Sequence, residues 1–326
     1  MKSIAFFNNR AGVGRTTLVY HLAWMLSELG HRVLAVDLDP QADLTSMFLA
    51  EDLLRSLYQP EQDGGGTVAR AIQPLQRGAG DFRPVSIDEL GDTLALVAGD
   101  LALSQMEDDF SSYWSDTAEG SELAFRRLSA LYRVIDSAAR TFRADLVLVD
   151  LGPNLGSINK TALLSCDNVV VPLTPDQFSL HGLRILGPTL RTWKDQWRER
   201  LKAAPAMDVE LPQGCAQPLG YVVFQHAMRL DRPVQASGRW LAHIPKTYAE
   251  QVLGIAGKRP AISDDPNCLA SLKTYRSLMP LAQEARKPMF MLNASDGAIG
   301  GHAGAVRQCY DDYKRLALEV GRTASA

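Results

Sequence analysis

Apolar residues in this chain arrive in two rhythms. Short unbroken runs, SIAFF at 3–7, RVLAVDLDP at 32–40, LALVAG at 94–99, DLVLVDLG at 145–152, NVVVPL at 168–173 and PLGYVVF at 218–224, have the length of strands covered on both faces. Between them the period lengthens. Leu18, Leu22, Leu26 and Leu29 recur at helical spacing and Gly30 closes the segment. The stretch 122–142 predicts one long helix, and 303–321 predicts a terminal one. Segment 274–290 completes the covering layers. Strand, tight turn, helix and strand within the first 40 residues make a βαβ unit, which implies parallel pairing and a right-handed crossover. The alternation continues along the chain. The expected fold is therefore α/β, a doubly wound, mostly parallel sheet flanked by helices, as a single domain over residues 1–326. Loose segments are expected at 59–67, near 77–84 and in a flexible tail from about 321.

Composition narrows the function. The 326 residues are 46% hydrophobic and 22% charged with net charge −3, so binding to nucleic acid needs a local basic patch. Cys166, Cys215, Cys268 and Cys309 are far apart and read as free thiols of a reducing compartment. The six histidines show no metal-ligand spacing; His21 and His181 are expected to be satisfied, partly buried imidazoles. No stretch approaches membrane-spanning length and the N-terminal apolar run is too short for a signal peptide, so a cytoplasmic protein without a membrane partner is expected.

The chemistry concentrates in NNRAGVGRTT, residues 8–17. Gly12, Gly14, Thr16 and Thr17 sit between strand and helix, where backbone N–H groups converge on an anion and the helix dipole favours negative charge. A threonine there offers its hydroxyl to Mg²⁺. A glycine pair after a strand with Asp37 or Asp39 downstream also fits a dinucleotide-dependent oxidoreductase of the Rossmann type. That fingerprint calls for a third glycine where Thr17 stands, which disfavours it. Asp150 ends an apolar strand at the edge where open α/β sheets bind ligands, and a carboxylate there holds Mg²⁺ through water.

The loop resembles the deviant Walker A motif of the ParA/MinD family of P-loop ATPases, whose usual form is K-G-G-V-G-K-T-T. AVDLDPQADLTSMFL (35–49) is similar to that family's D-x-D-P-Q segment, DLVLVDLGPNLG (145–156) to its Walker B strand, and DNVVVPLTPDQFSLHGL (167–183) to the strand and helix start that follow. Segment 278–288 is similar to a later part. The resemblance implies ATP or ADP with Mg²⁺, a cradle of Ala11, Gly12, Val13, Gly14, Arg15, Thr16 and Thr17, and metal contacts from Thr16, Asp37 and Asp150. It implies that Asp39 orients the attacking water. It also implies a homodimer that binds DNA non-specifically and positions a cargo through a partner or adaptor protein.

Arginine stands at both lysine positions. By the resemblance, residue 15 grips the β- and γ-phosphates and residue 10 reaches the partner's nucleotide. A guanidinium keeps the charge but spreads it over a wide planar fork, so Arg15 and Arg10 are expected to spare binding and weaken hydrolysis. The alternative is a nucleotide-binding pseudo-ATPase with a regulatory or scaffolding role. Ala11 also replaces a glycine.

After the Walker B region, Leu186, Leu190, Trp193, Trp197 and Leu201 mark the inward face of a helix, with Pro188 expected near its start. Arg191, Lys194, Arg198 and Lys202 form an adjoining basic stripe. Residues 184–202 hold six basic side chains against Asp195 and Glu199. The stripe is the candidate DNA contact, and a solvated face is the plainer reading. The loop QHAMRLDRP after Phe224 is a candidate border of the base pocket.

Overall fold

A computed structural model describes residues 1–59, 66–214, 216–225, 228–229, 232–233 and 235–325. The strands are β1 (Lys2–Phe6), β2 (Val33–Asp37), β3 (Asp88–Gly91), β4 (Leu94–Val97), β5 (Leu146–Asp150), β6 (Asn168–Leu173), β7 (Gln217–Gln225), β8 (Met228–Arg229), β9 (Arg232–Pro233) and β10 (Cys268–Lys273). The helices are α1 (Arg15–Glu28), α2 (Asp43–Phe48), α3 (Glu51–Leu57), α4 (Val68–Gln76), α5 (Glu107–Asp116), α6 (Glu122–Leu128), α7 (Ala130–Phe142), α8 (Ser157–Leu164), α9 (Gln177–Ala203), α10 (Gln235–Tyr248), α11 (Met279–Ala285) and α12 (Gly301–Ser325).

Eight strands form one sheet in the order β10-β7-β6-β1-β5-β2-β4-β3, parallel except for the antiparallel edge strand β3. The period-2 alternation of the strands divides the core in two. Ile4 and Phe6 face one way, with α1, α11 and α12; Ala5 and Phe7 face the other, with α4 to α10. Because both faces are covered, the central strands read as continuous apolar runs. The register pairs Phe6 with Asp150 and Asp37 with Asp150, so β1, β2 and β5 end at one level beside the glycine loop.

The expected doubly wound, mostly parallel sheet flanked by helices is the observed one. Several boundaries differ for local reasons. The expected helix 122–142 is interrupted at Ser129, whose hydroxyl donates to the Arg126 carbonyl. Pro188 lies deep inside α9, because that helix begins at Gln177 behind an Asp176 cap. Beside it, Gly187 lets the turn at 249–253 approach so closely that a Cβ would stand 1.9 Å from the Gln251 carbonyl oxygen. Strands β3 and β10 had no apolar run to announce them; both are edge strands with interrupted burial patterns. The expected loose tail is instead the last turn of α12, which continues to Ser325 and keeps Ala324 buried. Residues 60–65 of the expected loop, Cys215, and residues 226, 227, 230 and 231 within QHAMRLDRP lie outside the described residues.

Candidate functional site

The glycine loop joins β1 to α1. Gly12 (φ 75°) and Gly14 (φ 80°) adopt left-handed conformations that an L side chain resists, and Gly14 is the N-cap of α1. Ala11 is outside the positive-φ region, so its extra methyl adds no backbone strain. No side chain caps the helix, which leaves its first-turn amides available to an anion. They open on a cavity of about 290 Å³ lined by Ala11–Thr17, Asp39, Gln41, Asp43 and Pro153. A second cavity of about 290 Å³ shares Thr17 and is lined by Tyr20, Met47, Met279, Gln283 and Met289 among others.

Behind the loop the chain gathers Asp37, Asp39 and Asp150, all buried. Arg15 turns towards them. Its Nε donates to Asp150 Oδ1 at 2.9 Å and its Nη2 to Asp39 Oδ2 at 2.7 Å, so one guanidinium bridges both carboxylates. The resemblance directs residue 15 to a phosphate; in this structure its fork is held by the two acids. Asp37, an expected metal contact, has both carboxylate oxygens engaged by donors. Its Oδ2 accepts from the Thr45 amide (2.8 Å) and hydroxyl (2.7 Å), and its Oδ1 from the Asp39 amide (3.1 Å). Asp37 thus ties β2 to α2 and does not line the cavity.

Three carboxylates against one guanidinium leave the cluster short of positive charge. Burial, then the charge of Asp150, pushes Asp37 up to about 8 despite its donors. Burial pushes Asp150 up to about 6, with the Arg15 charge and the Thr16 side chain pulling back. Asp150 Oδ2 is buried without a hydrogen-bond partner. That orphaned oxygen, beside Thr16 at the helix start, fits a hard cation. Among the described residues no set of three His, Cys, Asp or Glu side chains forms a complete metal cage. Mg²⁺ needs none, since it is bound by one or two carboxylates together with phosphate and water.

Arg10, which the resemblance assigns to a partner's nucleotide, contacts Asp176 of the same chain. Its Nη1 lies 2.5 Å from both oxygens of Asp176. Thr174, Asp176 and Ser179 were not among the expected site residues, although an Asp before an apolar helical run is a capping signal. Gln41 and Asp43 lie in the D-x-D-P-Q-like segment after β2, with Asp43 opening α2, and Pro153 follows β5 in the Walker B-like segment.

The basic stripe is only partly free. Arg191 donates to the Gln251 carbonyl and, at 3.2 Å, to the Val252 carbonyl. Arg198 pairs with Asp195 at 3.2 Å and Lys202 with Glu199 at 2.7 Å, both in solvent, where such pairs restrain little. Lys194 is half-buried on the same helix. Trp193 and Trp197 are buried as expected, and Trp197 Nε1 donates to the Pro212 carbonyl at 2.8 Å. His21 is fully buried: its Nδ1 meets the Thr17 carbonyl at 2.8 Å and its Nε2 accepts from the Met289 amide at 3.0 Å. His181 is exposed, a correction to the expected partly buried imidazole. Cys166 and Cys309 are buried free thiols and Cys268 is half-buried. No helix among the described residues is long and apolar enough to cross a membrane.

A glycine loop on a helix N-terminus at the carboxyl edge of a parallel sheet, with an acidic strand end beside it, defines a P-loop nucleotide-binding protein. A family profile described as an AAA domain matches residues 1–203. The chain belongs to the ParA/MinD family of P-loop ATPases. It is 32% identical over 185 residues to a putative replication protein A of Rhizobium rhizogenes, covering 56% of this chain and 42% of that one. It is 29% identical over 202 residues to the chromosome-partitioning ATPase Soj of Thermus thermophilus, covering 62% and 66%. The crystal structure of protein DIP2308 from Corynebacterium diphtheriae superposes with a TM-score of 0.73 at 25% identity, over 99% of this chain and 98% of that one. The chain spans about half the length of the first curated relatives it matches, 42%, 46% and 56%.

Proposed function

We propose that this chain is a partition or positioning switch that binds ATP or ADP with Mg²⁺, pairs with a second copy in the nucleotide state, and turns ATP over slowly. The observation that carries the reading is the Arg15 bridge between Asp39 and Asp150. Phosphates would enter the loop cavity against the amides of residues 12–17, and the adjoining cavity past Thr17 would take the nucleoside. Thr16 and Asp150 would hold Mg²⁺, which supplies charge neutralisation on the β- and γ-phosphates. Asp39 would orient the attacking water, but a carboxylate gripped by a guanidinium is a poor acceptor for that water's proton. With the bridge kept, the Arg15 charge would lie about the acids rather than about the transferring phosphoryl group, which would harm the transition state more than binding.

In the ATP state the stripe on α9 would meet the phosphate backbone of DNA without reading its sequence, and an adaptor protein would connect cargo. Calorimetry with ATP and Mg²⁺ tests the foundation, and phosphate release tests the turnover. Heat of binding with slow release, raised when both arginines are changed to lysine, supports the switch. Binding with no release from either form makes the chain a pseudo-ATPase. Absence of binding heat removes the reading altogether.

A further inference from the structure

Arg10 and the start of α9 form a compact cluster. Besides its two contacts with Asp176, Arg10 Nη1 donates to the Thr174 hydroxyl at 3.0 Å and lies 3.4 Å from the Ser179 hydroxyl. The guanidinium carbon stands 5.4 Å from the ring centroid of Phe178, a side chain left 69% exposed. Asp176 has a second role in the same place. It caps α9 by accepting from the Ser179 amide at 2.9 Å, and it accepts from the Thr174 hydroxyl at 2.7 Å. One carboxylate therefore both starts a 27-residue helix and holds the phosphate loop's outer cation.

We propose that Asp176 is a positioning residue that keeps Arg10 within its own chain and so sets how readily Arg10 reaches a nucleotide bound by a second copy. This rests on the reading of the chain as a nucleotide-dependent dimer. An arginine engaged with a bidentate carboxylate, a hydroxyl and a ring has to leave all three before it crosses to a partner. The pair is about one-third exposed on each side (36% and 34%), which makes it a light restraint and not a lock. Releasing such a pair is worth about threefold per copy, and near tenfold for two copies associating symmetrically.

The two roles of Asp176 separate by substitution. Asparagine caps helices as well as aspartate does, so Asp176→Asn keeps the bond from Ser179 while removing the charge that holds Arg10. Asp176→Ala removes both. The experiment is sedimentation equilibrium of the full chain with AMPPNP and Mg²⁺, alongside thermal midpoints and nucleotide affinity.

Asp176→Asn is expected to dimerise about tenfold more tightly than the parent at an unchanged midpoint. The gain is expected to vanish when Arg10→Ala is added. A structural role for Asp176 would not produce that dependence on Arg10. Equal dimerisation of parent and Asp176→Asn, with nucleotide bound by both, overturns the restraint and leaves the dimer intact. A gain that persists in the Arg10→Ala background overturns it as well. If no form self-associates at nucleotide saturation, the dimer reading fails and this inference fails with it.

Discussion

Changing Arg15 to lysine is expected to make the chain less stable and more active at once. Arg15 is 7% exposed, and its partners Asp39 and Asp150 are 6% and 0% exposed. Its Nε and Nη2 serve different carboxylates at 2.9 and 2.7 Å, a two-pronged planar contact that a lysine ammonium does not reproduce. Lysine at 15 keeps one contact and surrenders the other. The loss of one buried charge-assisted hydrogen bond amounts to about 1.5–3 kcal/mol. Arginine to alanine would leave both acids buried without their cation, a loss of about 3–5 kcal/mol. The lysine variant should therefore unfold at lower urea by the equivalent of about 2 kcal/mol. The same change frees Asp39 and returns a compact charge to the phosphate side, so single-turnover phosphate release should rise about tenfold or more. Stability is read from urea denaturation without nucleotide, and turnover from phosphate release at saturating ATP and Mg²⁺. A lysine variant as stable as the parent would mean that the bridge contributes nothing in solution. One that is less stable but no faster would mean that Arg15 does not restrain Asp39.

Three further outcomes are expected. Gly14→Ala forces a side chain onto a φ of 80° and sets its Cβ 3.2 Å from the Phe224 ring, so nucleotide affinity should fall by about tenfold or more in a fluorescent-nucleotide titration; unaltered affinity would show that the loop geometry is not the binding geometry. Burial lowers the His21 pKa to about 4 from 6.5, so the unfolded chain binds the extra proton first: its contribution is complete above pH 6.5 and is lost as pH falls towards 4, about 3 kcal/mol in all. Asp37 and Asp150, shifted upwards, act in the opposite direction, so the quantity to measure is the difference in denaturation free energy between parent and His21→Gln across that window; a flat difference refutes the burial argument. Replacing Lys194, Arg198 and Lys202 by glutamate, while keeping Arg191 for its carbonyls, should weaken duplex binding at low salt by about tenfold or more and flatten its salt dependence; equal affinity in the ATP state would remove α9 from the DNA reading.

The layered α/β fold was legible in the chain because strands covered on both faces must be apolar at every position, and a helix lying between sheet and solvent must be apolar at every third or fourth. Runs such as SIAFF and LVLVD carry that requirement openly. The edge strands β3 and β10 meet it only in part, since one side of each lacks a covering strand, and they passed unseen. Gly12, Gly14 and the threonines marked the phosphate loop locally, because backbone geometry there depends on neighbours in the sequence.

What the loop's cations do was a different kind of question. The residue at 15 was plain to read, but its partners lie 24 and 135 positions away and are brought to it by the register of β5 against β1 and of β2 against β5. Arg10 meets an acid 166 positions away, at the head of a helix whose true start the apolar pattern misplaced. A long charged side chain takes its direction from the nearest opposite charge in a medium of low dielectric, and only the folded chain determines which charge that is. The amino-acid order alone thus established a phosphate-binding loop with two arginines, and the tertiary structure decided that both arginines are turned towards carboxylates of their own chain.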